Sequence, residues 1–249
     1  MKRRGGASRF VGAVGTCVIF CAMRAIQQLL FVVILFAAAC KSAPAPPYGP
    51  EFRALFNGRD LDGWKGLVEM PTKLKLAPAD LAKAQAAADA KMRAHWSVNG
   101  LGELEFDGKG ESLVTEKDYE DFELYIDWKI KKDGDSGIYL RGMPQVQIWD
   151  NPIGSGGLYN NSKNLSKPLT AADRPVGQWN TFRIKMIGDR VWVWLNAQLV
   201  VDNVPLENGY WSGVHKTNIP PYTKGPIELQ NHGNTLWFRN IYIREIGGK

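Results

Sequence analysis

Three short stretches of this 249-residue chain carry side chains suited to chemistry on hydroxylated molecules: Ser136–Arg141, Val146–Trp149 and Ile227–His232. Each is expected to form a strand, along which side chains alternate between two faces. Ile138 and Leu140 then share one face, and Tyr139 and Arg141 the other. Val146 and Ile148 take the apolar side; Gln145, Gln147 and Trp149 take the opposite one. Ile227 and Leu229 face a core, while Glu228, Gln230 and His232 face away. A plain solvated sheet face carries more Lys, Glu and Thr. Gln, Arg, Trp, Tyr and His together supply paired donors and acceptors for hydroxyls and flat rings for the apolar faces of pyranoses. A solvated face or a buried polar seam accounts for any one of these residues alone. The three rows together point to a carbohydrate-binding cleft.

His232 is one of three histidines, with His95 and His215. Beside Glu228 and Gln230 it is a candidate base or metal ligand. A set drawn from Asp150, Glu228 and His232 has suitable residue types, but no local metal-ligand spacing supports it, so a divalent cation stays an open alternative. Two motifs are set aside. Glu105 and Glu111 resemble the carboxylate strand of sandwich-fold glucanases, but Gly108-Lys109-Gly110 breaks that strand into a turn. Gly154-Ser155-Gly156-Gly157 lacks the Lys-Thr and helix of a phosphate loop.

The elements that must position these residues are short. Pro78–His95 is the one clear helix, built from Ala, Leu, Lys and Gln. Its apolar positions are mostly Ala, so it should pack lightly on the surface through Leu81 and Met92. From Trp96 onward, runs rich in Val, Ile, Tyr, Phe and Trp recur about every ten residues between turn signals, the pattern of an all-β sandwich or barrel. The runs are Leu104–Phe106, Ser112–Thr115, Asp121–Lys131, Ser136–Arg141, Val146–Trp149, Asn180–Ile187, Arg190–Asn196, Gln198–Asp202, Ile227–His232 and Leu236–Ile246. Asn196-Ala197-Gln198 reads as a hairpin turn. Gly154–Pro175 and Val204–Gly225 are long loops of the kind that often carry function.

The N-terminal region is separate in character. Leu29–Ala39 is apolar but shorter than the ~20 residues that span a bilayer, and it ends in Ala37-Ala38-Ala39-Cys40. This is the layout of a signal peptide over residues 1–40 with a lipobox, and Cys40 is the expected lipidated residue. An uncleaved anchor helix is the alternative. A second apolar run precedes Met23, and Met23-Arg24 opens a complete leader by itself, so Met23 is the expected true start. A Pro-rich tether follows over residues 41–50, and a single domain over 51–249. The expectation is export to the periplasm or cell surface, with membrane contact through the lipid alone.

Charge and cysteine usage agree. The net charge is +6, but Lys2, Arg3, Arg4, Arg9 and Arg24 all precede Cys40, and removing them leaves 26 bases against 25 acids. The body therefore lacks the excess charge that nucleic-acid binding needs. Cys17, Cys21 and Cys40 are the only cysteines, so the domain has no disulfide framework, thiolate metal site or Cys nucleophile.

Seven ordered motifs carry a resemblance: FNGRDLDGW at 56–64, YEDFELYIDWKI at 119–130, DSGIYLRG at 135–142, PQVQIWDN at 144–151, GGLYNN at 156–161, GQWNTFRI at 177–184 and GPIELQNHGNTLWFRNIYIREI at 225–246. Together they resemble the 3-keto-disaccharide hydrolase domain family. The resemblance implies a concanavalin A-like jelly roll of two antiparallel sheets. It also implies cleavage of glycosides whose glucose unit is a ketone at C3. Such a ketone acidifies the C2 hydrogen; a base removes it, the C1 substituent leaves by β-elimination, and water adds to the enone. That route needs a base, an oxyanion stabiliser and a proton donor rather than paired carboxylates. His232 or Glu228 is the candidate C2 base. Arg141, or a divalent cation held by Asp150, Glu228 or His232, would stabilise the oxyanion. Tyr139, Gln145, Gln147, Trp149, Tyr159 and Gln230 would position the sugar. Many members carry Glu at the position of Gln145, so any chemistry of that Glu needs another group here. The rival readings are a non-catalytic carbohydrate-binding module and a conventional glycoside hydrolase of the same fold. No dinucleotide fingerprint is present, so the ketone would be made by another protein.

Overall fold

Alternation of apolar and polar residues builds two antiparallel sheets that bury their apolar faces against each other. The computed structural model describes residues 48–143, 145–159, 161, 167–206 and 222–247. All lie in one of the chain's two compact units, Ala45–Lys249. The expected leader, Cys40, His215 and most of the Val204–Gly225 loop lie outside the described residues.

Numbered along the chain, the larger sheet contains β1 (Arg53–Ala54), β3 (Trp96–Val98), β4 (Leu104–Phe106), β6 (Phe122–Ile130), β10 (Asn180–Ile187), β11 (Arg190–Leu195), β12 (Gln198–Pro205) and β14 (Leu236–Glu245). Its order is β12-β11-β10-β6-β14-β4-β3, with β1 also paired to β14. The smaller sheet contains β2 (Trp64–Gly66), β5 (Leu113–Thr115), β7 (Asp135–Leu140), β8 (Gln145–Trp149), β9 (Leu158–Tyr159) and β13 (Ile227–Leu229), in the order β2-β5-β13-β7-β8-β9. The fold is the expected jelly-roll sandwich. Phe122, Leu124, Ile126, Trp128 and Ile130 point inward from β6, and Phe182, Ile184 and Met186 from β10. Ile138, Leu140, Val146, Ile148, Ile227 and Leu229 meet them from the smaller sheet. Each fully buried side chain of this size stabilises the fold by about 1.5–3 kcal/mol before entropy is counted.

Strict alternation breaks in the larger sheet at β12, where the adjacent Val200 and Val201 are both buried beside a register shift against β11, and again at β14. Leu236 and Phe238 face inward at even positions of β14, but Ile241 and Ile243 do so at odd ones. A bulge makes the change. Arg239 pairs with Asp127 and Tyr242 with Tyr125, so β14 holds one extra residue. Asn240 absorbs it with φ 51 and donates from Nδ2 to Asp127 Oδ2 at 2.8 Å.

Among the described residues two helices flank the sandwich: a single turn, α1 (Met70–Lys73), and α2 (Pro78–Arg93). The second ends two residues before the expected His95. Its buried residues are Ala88 and Met92, while Leu81 is only half-buried. The helix packs lightly on the surface, as expected, and it also seals the edge strand β2. Asp89 Oδ1 accepts from the Gly66 amide at 2.8 Å, and Gln85 Nε2 donates to Gly66 O at 2.8 Å. These bonds occupy backbone groups that would otherwise invite another strand. A Cβ on Gly66 would lie 2.3 Å from the Ala88 backbone, so the approach requires glycine. Tyr48, expected in the tether, is packed: its ring stacks on Tyr125 with centroids 3.7 Å apart.

The expected hairpin is present. Leu195 pairs with Gln198, leaving a two-residue turn at Asn196 and Ala197 with φ of 50 and 68. Two positive φ values match the twist of the flanking strands, but alanine is strained there. Ala197→Gly is expected to stabilise the protein by about 1 kcal/mol, read as a higher midpoint in urea unfolding.

Candidate functional site

The non-core face of the smaller sheet holds most of the residues singled out in the sequence. Cross-strand register places Val114, Glu228, Tyr139, Gln145 and Tyr159 in one row. A second row runs from Gln230, whose amide donates to Gly137 O at 2.9 Å, across Gly137 to Gln147. Asp135 faces Trp149 in a third. β13 ends at Leu229, earlier than expected, so Gln230 and His232 belong to the loop that follows it.

This face is largely removed from water. Gln145 and Gln147 are 3% and 4% exposed, so their amides must be bonded inside the protein. Gln145 Nε2 donates to Gln230 Oε1 at 2.8 Å, and Gln147 Nε2 donates to Asp135 Oδ1 at 2.7 Å. Gln230 Nε2 in turn reaches the Tyr139 hydroxyl at 3.4 Å. The two buried glutamines thus link Tyr139, Gln230 and Asp135 from beneath. Gly137 makes the arrangement possible: a Cβ there would stand 2.2 Å from Gln145 Nε2 and 2.4 Å from its Cγ.

A cavity of about 310 Å³ opens at the Glu228 end of the face. Tyr139, Glu228, Gln230 and His232 line it, joined by Glu69, Glu111, Ser112 and Asn231. Glu228 is buried, and its carboxyl is pushed up from the usual carboxylate range to about 8. Burial is the main cause and the negative charge of Glu69 the second; a hydrogen bond from Ser112 opposes them. At neutral pH Glu228 therefore holds its proton. His232 sits at the rim, with a side chain 54% exposed and Nδ1 3.8 Å from Asp135 Oδ2. That contact is too long for a direct hydrogen bond but becomes an ion pair when the imidazole takes up a proton.

Three expected site residues lie elsewhere. Arg141 adopts φ 55 at the end of β7, so the two-residue period no longer governs its direction. Its guanidinium donates to Thr223 O at 2.7 Å and to Gly188 O, in a different cavity with Asp121. Trp149 and Asp150 line a third cavity, away from Glu228 and His232. A divalent-cation site from Asp150, Glu228 and His232 is therefore not assembled. Among the described residues, no group of three or more His, Cys, Asp or Glu could hold a metal ion.

Glu69, Glu111, Ser112 and Asn231 were missed in the sequence. Glu69 had one readable signal, a proline two residues later that marks a helix start. The sequence places Glu111 beyond a turn. Gly108 and Gly110, at φ 92 and 80, do break the chain there, and Glu105 stays in the other sheet. The turn nonetheless delivers Glu111 to the cavity.

An antiparallel jelly roll with a polar, aromatic-bearing sheet face and a lined cavity defines a carbohydrate-active type of protein. A family model described as the 3-keto-alpha-glucoside-1,2-lyase-like domain matches residues 51–244, and the chain belongs to this family. A 3-keto-disaccharide hydrolase of Bacteroides thetaiotaomicron is 23% identical over 257 residues, spanning 84% of this chain and 83% of that protein. Two crystal structures from Parabacteroides distasonis, both provisionally assigned as glycosyl hydrolases, share the fold with a TM-score of 0.59. One is 22% identical and covers 78% of this chain and 94% of its own; the other is 25% identical and covers 79% and 84%.

Two outcomes test the site's construction. Gly137→Ala should displace Gln145 and lower sugar affinity at least tenfold while the far-ultraviolet circular dichroism stays that of a β-sandwich; unchanged affinity would separate Gln145 from the site. The second concerns Glu228. Its folded form keeps a proton that the unfolded chain releases above the ordinary value of 4.5. Stability should therefore fall as pH rises from there toward 8, then level off. In Glu228→Gln, thermal melts over that range should lose this slope.

Proposed function

We propose that the protein cleaves glycosides of 3-keto-glucose by elimination and hydration at the Glu228 cavity. The observation that carries this reading is a buried carboxyl, whose burial favours its protonated form, and an exposed imidazole lining one cavity. Elimination across C1–C2 needs these two groups in opposite protonation roles. The name of the Bacteroides relative and the family description support the substrate class.

His232 takes the C2 proton of the keto sugar, and Asp135 steadies the imidazolium that forms. The C1–O bond then breaks, and the leaving oxygen takes the proton of Glu228. The Gln230 amide donates toward the C3 oxygen while it carries negative charge. Hydration reverses the transfers: the Glu228 carboxylate accepts a proton from water, hydroxide adds at C1, and His232 returns its proton to C2. Both groups end as they began. This assignment separates the two candidate bases and gives Glu228 the acid role that its raised carboxyl favours. It also answers the change from Glu to Gln at position 145. The carboxyl stands two strands away in the same cross-strand row, at Glu228.

The purified protein is expected to release 3-keto-glucose from 3-keto-trehalose and from a 3-keto-glucoside, and to leave the unoxidised parents intact. His232→Ala and Glu228→Gln should each lower kcat by about two to three orders of magnitude. The pH profile of kcat/KM should fall on an alkaline limb near 8, where Glu228 loses its proton. Cleavage of the parents would make this a conventional glycosidase. Binding without any cleavage would make it a carbohydrate-binding module.

A further inference from the structure

The mouth of the sandwich, where the ends of the two sheets part, holds another cavity of about 320 Å³. Trp128 and Asn180 line it from the larger sheet, Trp149 from the smaller, Asp150 and Asn151 from the turn after β8, and residues 173–178 close it from the side. Its volume suits one monosaccharide.

Trp128 is the first observation. Among the described residues three indoles are buried, and two have acceptors: Trp64 Nε1 donates to Leu55 O at 2.8 Å, and Trp96 Nε1 to Glu111 O at 2.9 Å. Trp128 is 1% exposed, and its Nε1 has no acceptor among the described residues. A buried donor without an acceptor costs about 1–3 kcal/mol. Such a group calls for a reason beyond packing, and Trp128 is one of the side chains that line the cavity.

The rigidity of the walls is the second. Trp149 Nε1 donates to Gly154 O at 2.7 Å, which fixes the ring at the cavity edge. Asn180 Oδ1 accepts from the Arg174 amide and from Asn196 Nδ2, both at 2.8 Å. Gly177, at φ 81, closes a turn in which the Gln178 amide donates to Pro175 O at 3.0 Å. Asp150 commits Oδ2 to the Asp133 amide at 2.9 Å, and its other carboxylate oxygen has no partner among the described residues. A fixed aromatic ring, a donor without an acceptor and a carboxylate oxygen without a donor match the apolar face and the hydroxyls of a pyranose.

We infer that this cavity is a second carbohydrate site, which takes a single pyranose unit. Trp149 is its platform, the Trp128 indole N–H donates to one sugar hydroxyl, and Asp150 accepts from another. The inference does not depend on the reaction at Glu228, and a sugar needs no ketone to bind here.

The test uses methyl α-glucoside and methyl β-glucoside, neither of them oxidised, followed by two-dimensional 15N–1H NMR of the whole protein. The Trp128 indole resonance is identified by its absence in Trp128→Phe. It should move saturably with at least one anomer, and Asp150→Asn, an exposed change that leaves the core intact, should weaken the binding about tenfold. A Trp128 resonance that stays in place with both anomers overturns the proposal. So does a shift that Asp150→Asn leaves equally strong.

Discussion

The smaller sheet is covered on both faces, and this decides what its polar side may contain. Gln145, Gln147, Tyr139 and Glu228 are all at most 7% exposed, although none faces the apolar core. Polar groups taken out of water must bond to one another or lose about 1–3 kcal/mol each. The glutamines meet that condition through a chain of hydrogen bonds between Tyr139 and Asp135. Glu228 meets it differently, by keeping its proton. One constraint thus produces both a rigid floor and an acid, and the acid is the chemically useful departure.

Period-two alternation makes the core and the site face readable in the sequence. Ile138, Leu140, Val146, Ile148, Ile227 and Leu229 all point inward as the pattern requires. Where it failed, a residue had left extended geometry. Arg141 turns away because its φ is positive, and the inward positions of β14 change parity at Asn240 for the same reason. Neither residue is a glycine, so neither advertises its conformation. Glu69 and Glu111 were hidden by another cause. They come from loops whose paths depend on tertiary packing, which no local spacing encodes.

Trp149 and Asp150 show the limit of reading faces alone. Trp149 does lie opposite Asp135, in step with the other rows. At the end of a strand, however, a large side chain can serve a neighbouring space, and here it borders the mouth of the sandwich. Alternation names a face; it does not say where along that face one cavity stops and the next starts. The seven motifs give the family. The division of their residues between two cavities comes from the three-dimensional arrangement.

The approach of Gln145 to Gly137 also bears on how such a site can change over generations. The glutamine lies where any side chain at 137 would stand. A lineage that enlarges position 137 first displaces the glutamine and loses its bond to Gln230. The permitted order is to shorten residue 145 first, which strips Gln230 and Gln147 of a shared partner. Exchange of glutamine for glutamate at 145 keeps the length and escapes this barrier. The two positions should therefore vary as a pair in size while position 145 alone varies in charge.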